Sequence, residues 1–224
     1  MNITYSFFIT FFAGFSTLLG TIPIFIKFKN TKKIISISLI LSSFSMIVIS
    51  LLDLLPQSFK LFNLNYNIFL SVLLFLIFFV TGMILISLIN KIIASDNNLY
   101  KVGIISMIGI IVHNIPEGIL TFITSSVDVT MGLKLAMAIT LHNIPEGISI
   151  GIPLYYSTGS KIKTIIYVLI SALSEVFGAF ITYLFLYDYI NDILIAILLS
   201  LVCGVMTYIS LFELIPEIIN KKSI

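Results

Sequence analysis

The chain of 224 residues is 59% hydrophobic and only 10% charged, and its net charge is +2. A soluble domain of this length cannot bury so much apolar surface, so the composition indicates an integral membrane protein with the lipid bilayer as its partner. All twelve basic residues are lysines that fall between apolar segments, a distribution that points to membrane loops and not to a nucleic-acid partner.

Seven apolar segments are long enough to cross a membrane as helices, because one crossing needs about 20 apolar residues. They cover about residues 3–28, 34–55, 67–89, 102–123, 131–155, 162–186 and 193–219. A polar connector, residues 90–101, separates the third segment from the fourth. The predicted fold is an all-α polytopic bundle in which residues 1–224 form a single transmembrane domain.

The lysines predict the orientation of these segments. Ten of them lie in alternate loops and the C-terminal tail, whereas Lys60 and Lys134 are the two that lie on the opposite side. Lysine-rich loops remain in the cytoplasm. We therefore expect a multi-pass protein of the plasma (bacterial inner) membrane, with its N-terminus outside and its C-terminus in the cytoplasm.

The fourth and fifth segments carry the same six residues, His-Asn-Ile-Pro-Glu-Gly, at positions 113–118 and again at 142–147. Residues four apart share a helix face, so each copy directs one imidazole and one carboxylate at the same neighbour. Each proline frees the carbonyl of Val112 or Leu141, which predicts that both helices are broken at the motif. Nitrogen, carboxylate, amide and carbonyl groups, doubled on an antiparallel helix pair, predict a metal site.

Three glutamates, Glu117, Glu146 and Glu175, fall near the middle of predicted crossings. A charged carboxylate there costs about 2.5 kcal/mol or more. Protonation or a structural hydrogen bond could explain one such residue, but three on adjacent helices favour a bound cation. Imidazole with carboxylate suits zinc, iron or manganese better than calcium or magnesium. Asn114 and Asn143 are either further ligands or interhelical hydrogen-bond partners.

Four other residues have both an ordinary and a functional interpretation. Asp53 caps the outer end of the second segment or attracts cations in an outer vestibule. Glu213 and Glu217, four apart, form a solvated face or assist metal exit. Met46 is read as core filler.

Several motifs together resemble the ZIP (Zrt/Irt-like) family of metal transporters, in a spelling similar to its bacterial ZupT-like and GufA-like branch. They are the two His-Asn-Ile-Pro-Glu-Gly copies, Ser174-Glu175 in the sixth segment, Asp53-Leu-Leu-Pro56 in the second and Phe212-Glu-Leu-Ile-Pro216 in the seventh. The resemblance covers nearly the whole chain.

The resemblance implies uptake of divalent transition metals through a binuclear site between the fourth, fifth and sixth helices, in a bundle where one helix group moves against another. The cargo it implies is Zn²⁺, with Fe²⁺ and Mn²⁺ as further candidates, and it implies no prosthetic group and no enzymatic activity. The implied first-ion ligands are His113, Glu117, Glu146 and His142. The implied second-ion ligands are Asn114, Asn143 and Glu175, with Glu117 and Glu146 bridging. Met46 stands where some relatives place a further contact.

The chain departs from the family pattern in a few places. Members usually have eight crossings, whereas this chain ends after the seventh, either because the eighth helix is lost or because the reading frame is truncated. Val176 replaces a common proline, and Ser42, Ser43 and Ser45 stand where relatives are richer in alanine and glycine. Whether the chain forms a homodimer stays open at this stage.

Two alternatives to transport remain from the sequence. A zinc-dependent intramembrane hydrolase could use the same histidines and glutamates to activate water, but the sequence lacks an HExxH arrangement and a separate base. The other alternative is a relative that binds metal without transporting it.

Overall fold

Helices make up nearly all of the structure, a computed structural model that describes residues 3–93, 95–186 and 191–219. We number seven long helices in chain order: α1 Ile3–Phe25, α2 Thr31–Asn65, α3 Ile68–Ile92, α4 Asn98–Val127, α5 Val129–Thr158, α6 Lys161–Phe185 and α7 Asp192–Ile219. No strand occurs within these described ranges. The expected all-α polytopic bundle is confirmed. Lys221 and Lys222 of the C-terminal tail, which entered the prediction of orientation, lie outside the described residues.

Six of the helices are long and apolar enough to cross a membrane. Helix α5 has 30 residues, which is ample length for a crossing, but it carries Lys134 together with the polar residues of the second motif copy.

The loops between the helices are short, and a polar side chain caps the start of each helix from α2 to α7. Each cap accepts a hydrogen bond from a backbone amide of the first turn, which would otherwise lack a partner. The capping residues of α2 to α7 are Asn30, Asn67, Asn97, Asp128, Ser160 and Asn191. Asp128 alone separates α4 from α5, so these two helices are antiparallel neighbours and their motif copies face each other.

Helix α2 corrects one predicted boundary. It was expected to end at residue 55, before Pro56, but it continues to Asn65. A π-helical turn, Ser50–Leu54, re-registers the hydrogen bonds, and Pro56 then stands in the first turn of the next α-helical segment, where its missing N–H is not needed. Asp53 therefore lies inside a helix and not at its end.

The predicted breaks at the two motif copies are also corrected. Both α4 and α5 are continuous, with Pro116 and Pro145 inside them. A proline removes one backbone hydrogen bond, but the bonds on either side persist when neighbouring helices hold the segment in place. The candidate ligand side chains of the two motif copies therefore lie on continuous helices.

The helices pack as two groups. The first group is α1, α4, α5 and α6, and the second group is α2, α3 and α7. Within the second group the backbones of α3 and α7 come very close: a β-carbon at Gly82 would lie 2.1 Å from the Leu201 carbonyl oxygen, and one at Gly204 would lie 2.0 Å from the Phe79 carbonyl oxygen. Small residues permit such approach between membrane helices.

Contact between the two groups is of another kind. Helix α2 packs against α5, and α4 packs against α7. At the second of these contacts the atom that faces Gly109 is the terminal Cδ1 of the Ile209 side chain, not a backbone atom. Each group is therefore locked internally by backbone contacts, whereas flexible side chains fill the boundary between the groups.

The close approach of α3 and α7 makes Gly82 intolerant of substitution. We expect Gly82→Ala to lower the thermal stability of the purified protein by about 1–3 kcal/mol, because the new methyl group meets backbone that cannot move aside. A matched control is Gly151→Ala, where the nearest atom to a β-carbon is 3.5 Å away; it should melt no lower than the parent. Equal melting of both variants and the parent would contradict this packing.

Candidate metal site

The two motif copies meet at the centre of the first helix group and cross-connect. His113 Nε2 lies 3.1 Å from Glu117 Oε1 on its own helix and 3.2 Å from Glu146 Oε1 on α5. His142 Nε2 lies 2.8 Å from Glu117 Oε1 on α4. The two imidazole rings have their centroids 5.9 Å apart. The expected pairing of His113 with Glu117 is present. In addition, His113 contacts Glu146 of the other copy, and His142 contacts Glu117 of the other copy.

These groups are removed from solvent. His113 and Glu146 are fully buried and Glu117 is 6% exposed, while the His142 side chain, at 12%, is the most accessible of the four. Ligand atoms of His113, His142 and Glu146 all lie within 4.8 Å of one another, a spacing that one metal ion can bridge. Of the four residues, His142 is thus the one through which an ion could first make contact.

His142 Nε2 and Glu117 Oε1 form a hydrogen bond at 2.8 Å, but other polar atoms of the site have no hydrogen-bond partner. Although His113 Nε2 is close to two carboxylates, the angles do not form hydrogen bonds, and both ring nitrogens of His113 and both oxygens of Glu146 lack a hydrogen-bond partner. Buried polar groups are almost always paired. Acceptor oxygens and a ring nitrogen that point at a common space fit a site for a cation.

A second layer of polar side chains lies against the first. Asn114 Nδ2 donates to the Ser171 carbonyl of α6 at 3.2 Å, and Asn143 Nδ2 donates to the Ala13 carbonyl of α1 at 3.0 Å. Asn143 Nδ2 also donates to Glu175 Oε2 at 3.1 Å. Because a carbonyl oxygen can only accept, these contacts fix the orientation of both amides.

The fixed amides leave oxygen atoms free. Asn114 Oδ1, Asn143 Oδ1 and Glu175 Oε1 are all buried and have no hydrogen-bond partner. All three residues are fully buried. The structure therefore brings the seven residues singled out from the sequence into one part of the fold, in two layers on α4, α5 and α6.

The last residue of each motif copy explains how the helices come so close. A β-carbon at Gly118 would lie 1.8 Å from the Glu175 carbonyl oxygen on α6, and one at Gly147 would lie 1.9 Å from the Thr17 carbonyl oxygen on α1. In each copy the asparagine donates to a backbone carbonyl of a neighbouring helix and the glycine lets that helix come close. The neighbour is α6 for the copy on α4 and α1 for the copy on α5. The repeat in sequence is a repeat in packing.

Helix α1 is the contributor that the sequence interpretation missed. Its Ala13 carbonyl holds Asn143, and a β-carbon at Gly14 would lie 3.1 Å from Glu175 Oε2. A backbone carbonyl leaves no mark in a sequence. The available signal was the small pair Ala13-Gly14 within an apolar segment, since small residues mark close helix packing in membranes.

The other candidate residues lie outside these layers. Asp53 is exposed, accepts a hydrogen bond from Gln57, and lines a cavity of about 410 Å³ between α2 and α5 that His142 also lines. Glu213 is buried and accepts from Asn90 on α3. Met46 is fully buried in the apolar core, in keeping with its reading as core filler, and its further role as a ligand stays a prediction.

Comparison with known proteins gives consistent matches. A family model described as ZIP Zinc transporter matches residues 94–224, more than half of the chain. The zinc transporter ZupT of Campylobacter jejuni is 35% identical, over 93% of this chain and 85% of that protein. The ZupT proteins of Streptococcus mutans and Clostridium perfringens are 35% and 32% identical, over 94% and 96% of this chain and 86% and 87% of their own lengths.

The unpaired oxygens of Glu146 lead to a prediction about stability. Without metal, Glu146→Gln should melt at a higher temperature than the parent, because it removes a buried carboxylate that accepts no hydrogen bond. With Zn²⁺ at about 100 times its dissociation constant, the parent should gain about 2.7 kcal/mol and the variant much less. Thermal unfolding in detergent with and without Zn²⁺ measures both effects.

The matched control is Glu213→Gln, which changes another buried glutamate outside the two layers and should keep the full zinc-dependent gain. A gain in Glu146→Gln as large as that of the parent would show that this carboxylate does not bind the ion.

Proposed function

The chain belongs to the ZIP zinc transporter family, and we propose that it carries divalent transition-metal cations, zinc foremost, into the cytoplasm through the two layers formed by the motif copies. The observation that supports this most directly is that buried oxygen and nitrogen atoms of Glu146, His113 and the two asparagines have no hydrogen-bond partner, while ligand atoms of His113, His142 and Glu146 lie within 4.8 Å of one another. Members of this family are transporters and not enzymes, so the hydrolase alternative is not favoured.

The first ion is held by His113, His142, Glu117 and Glu146 in this proposal. Two imidazole nitrogens and two carboxylates are a ligand set that zinc accepts readily. The separations of 2.8 to 3.2 Å between these atoms support it, because ligands of one ion approach one another to about this distance when the ion lies among them. The two negative charges also offset the charge of the ion, which lowers the cost of burying both.

The second ion is held by the free amide oxygens of Asn114 and Asn143 and by Glu175, with Glu117 and Glu146 shared between the ions. Glu117 Oε2 is buried without a partner, and a bridging role would use it. This layer offers only oxygen ligands, so it is the harder of the two sites and the weaker one for zinc.

The chemistry of the first layer also sets the expected selectivity. Zinc is the cargo in the names of the relatives, and we extend the proposal to Fe²⁺ and Mn²⁺ because imidazole with carboxylate suits both. Calcium and magnesium prefer all-oxygen sites with more ligands or more retained water. They are therefore expected to be excluded.

The proposed route begins outside the cell. A hydrated cation reaches His142, the most exposed first-layer residue, along the cavity between α2 and α5, and exchanges water for imidazole and carboxylate. Movement of the first helix group against the second then opens the site inward. The N-terminus lies outside and the C-terminus in the cytoplasm, the orientation that the lysines predict for a plasma-membrane protein. A single transmembrane domain over residues 1–224 remains our expectation, and a homodimer is not needed for this route.

Uptake of radioactive zinc into proteoliposomes tests the function. Glu117→Gln and Glu146→Gln should each lower the initial rate by more than about tenfold, since each removes a ligand while keeping the side-chain volume. Asp128→Asn is the matched control, because asparagine caps a helix as well as aspartate and the charge change is the same. Normal rates in both glutamate variants would refute the assignment, and zinc binding without uptake by the parent would identify a transport-deficient relative.

Competition measures the selectivity. Unlabelled Fe²⁺ and Mn²⁺, each at tenfold excess, should reduce radioactive zinc uptake by the parent protein, whereas Ca²⁺ and Mg²⁺ at the same excess should not. Inhibition by Ca²⁺ as strong as that by Fe²⁺ would contradict a first site that contains two imidazoles.

A further inference from the structure

One serine hydroxyl crosses the boundary between the helix groups and reaches the second motif copy. Ser42 on α2 donates to the Pro145 carbonyl on α5 at 2.7 Å. Ser42 is fully buried, and Pro145 stands between His142 and Glu146 in the chain. The bond therefore ties the helix that presents two first-layer residues to a helix of the other group.

The other interhelical side-chain hydrogen bonds given for the described residues stay inside one group. In the second group, Ser43 pairs with Ser210, Ser58 with Ser200, Asn90 with Tyr208 and Glu213, and Cys203 with Ser50. In the first group, Ser16 contacts Thr140, His142 contacts Glu117, Asn114 contacts Ser171, and Asn143 contacts Ala13 and Glu175. The bond from Ser42 to Pro145 differs from all of these because it joins the groups.

Ser42 also has an alternative that lets the bond open at little cost. Serine and threonine hydroxyls in helices can donate to the carbonyl four residues earlier. Thr10 and Ser200 do so here, to the carbonyls of Ser6 and Ala196. If α5 moves away, the Ser42 hydroxyl can rotate and donate to the Ser38 carbonyl instead. The Pro145 carbonyl lies inside helix α5, so the hydrogen bond from Ser42 is additional to its helical one. No buried donor is left unpaired in either arrangement.

We propose that Ser42 is a positioning residue for transport: its bond to Pro145 is a latch that holds the motif of α5 against α2 and must open each time the first group moves. That the groups move is part of the proposed function, on which this inference rests. The latch itself is inferred from the hydrogen bond between Ser42 and Pro145. A neutral hydroxyl-to-carbonyl bond has a modest strength, so it biases the position of α5 without trapping it. Ser42 does not touch the ion.

The neighbouring serine provides a matched control. Ser43 lies on the same helix, is also buried, and its hydroxyl pairs with the Ser210 hydroxyl at 2.7 Å within the second group. Ser42→Ala and Ser43→Ala therefore remove the same atom from adjacent positions. Only Ser42→Ala removes a hydrogen bond between the groups. An effect of lost packing should therefore appear in both variants, whereas an effect of the latch should appear in Ser42→Ala alone.

The readout is the accessibility of the cleft between α2 and α5. Ile49 on α2 is buried and lines the cavity of about 410 Å³ that Ala138 and His142 of α5 also line. An Ile49→Cys protein in nanodiscs can be labelled with a water-soluble maleimide from either side, and the single natural cysteine, Cys203, is buried. The labelling rate reports how often the cleft opens.

We expect Ser42→Ala to raise the labelling rate of Ile49→Cys by up to about fivefold, the factor that corresponds to a net hydrogen bond of about 1 kcal/mol. Ser43→Ala should leave the rate within about twofold of the parent even if it lowers the melting temperature. An unchanged or lower rate in Ser42→Ala, or the same rise in Ser43→Ala, overturns the latch.

Zinc uptake separates this result from the fate of the proposed function. Ser42→Ala should keep the zinc concentration for half-maximal uptake, because every ligand is intact. Loss of uptake in the Glu117 and Glu146 variants supports the function whatever Ser42 does. A parent that does not transport refutes the function, and the labelling comparison still decides whether the bond to Pro145 holds α5 against α2.

Discussion

The structure depends on the burial of carboxylates for which the protein supplies too few hydrogen-bond donors. Glu146 has no hydrogen-bond partner at either oxygen, and Glu117 and Glu175 each keep one oxygen unpaired. Such groups cost several kcal/mol in a low-dielectric interior unless a positive charge offsets them. The surrounding residues relieve only part of that cost. His142 forms a hydrogen bond with Glu117 and Asn143 donates to Glu175, but the amide N–H groups of Asn114 and Asn143 also donate to backbone carbonyls. The protein thus keeps its acceptors free.

Close helix packing is the means by which the acceptors are kept free. Gly118 and Gly147 let α6 and α1 approach until their carbonyls meet the motif helices, and the asparagines then find carbonyls within reach. Each motif residue therefore has a distinct physical task. In the proposed site, histidine and glutamate supply ligand atoms, asparagine orients an oxygen, and glycine brings in the helix that orients the asparagine. Removal of the glycine would disturb the ligands without altering one of them.

The structure brings together the side chains that the sequence singled out, whereas the backbone contributions were not predicted. Repetition of one hexapeptide with its helical spacing selected six of the seven residues, and Glu175 was selected as a third glutamate near the middle of a crossing, because imidazole and carboxylate side chains are rare in apolar segments. The partner exchange between His142 and Glu117 did not follow from spacing within one helix, because it depends on how two helices face each other. The Ala13 and Ser171 carbonyls were invisible for a simpler reason: every residue has a carbonyl. In the fold, the rule that a helix ends before proline failed at Pro56, because a π-helical turn placed that proline in a first turn.

The candidate ligands belong to one helix group, and contacts of a different kind join the two groups. All seven candidate ligands stand on α4, α5 and α6, so an ion held by them would belong entirely to the first group. Backbone contacts at glycines lock each group internally, and the described contacts between the groups include apolar side chains, the hydroxyl of Ser42 and the attraction between Lys101 and Glu213. An apolar side chain can slide past another with little loss, and a serine hydroxyl can exchange one carbonyl for another. Contacts of these kinds hold two rigid groups together and still let one move, whereas close contacts between backbones, like those inside each group, would fix their relative position.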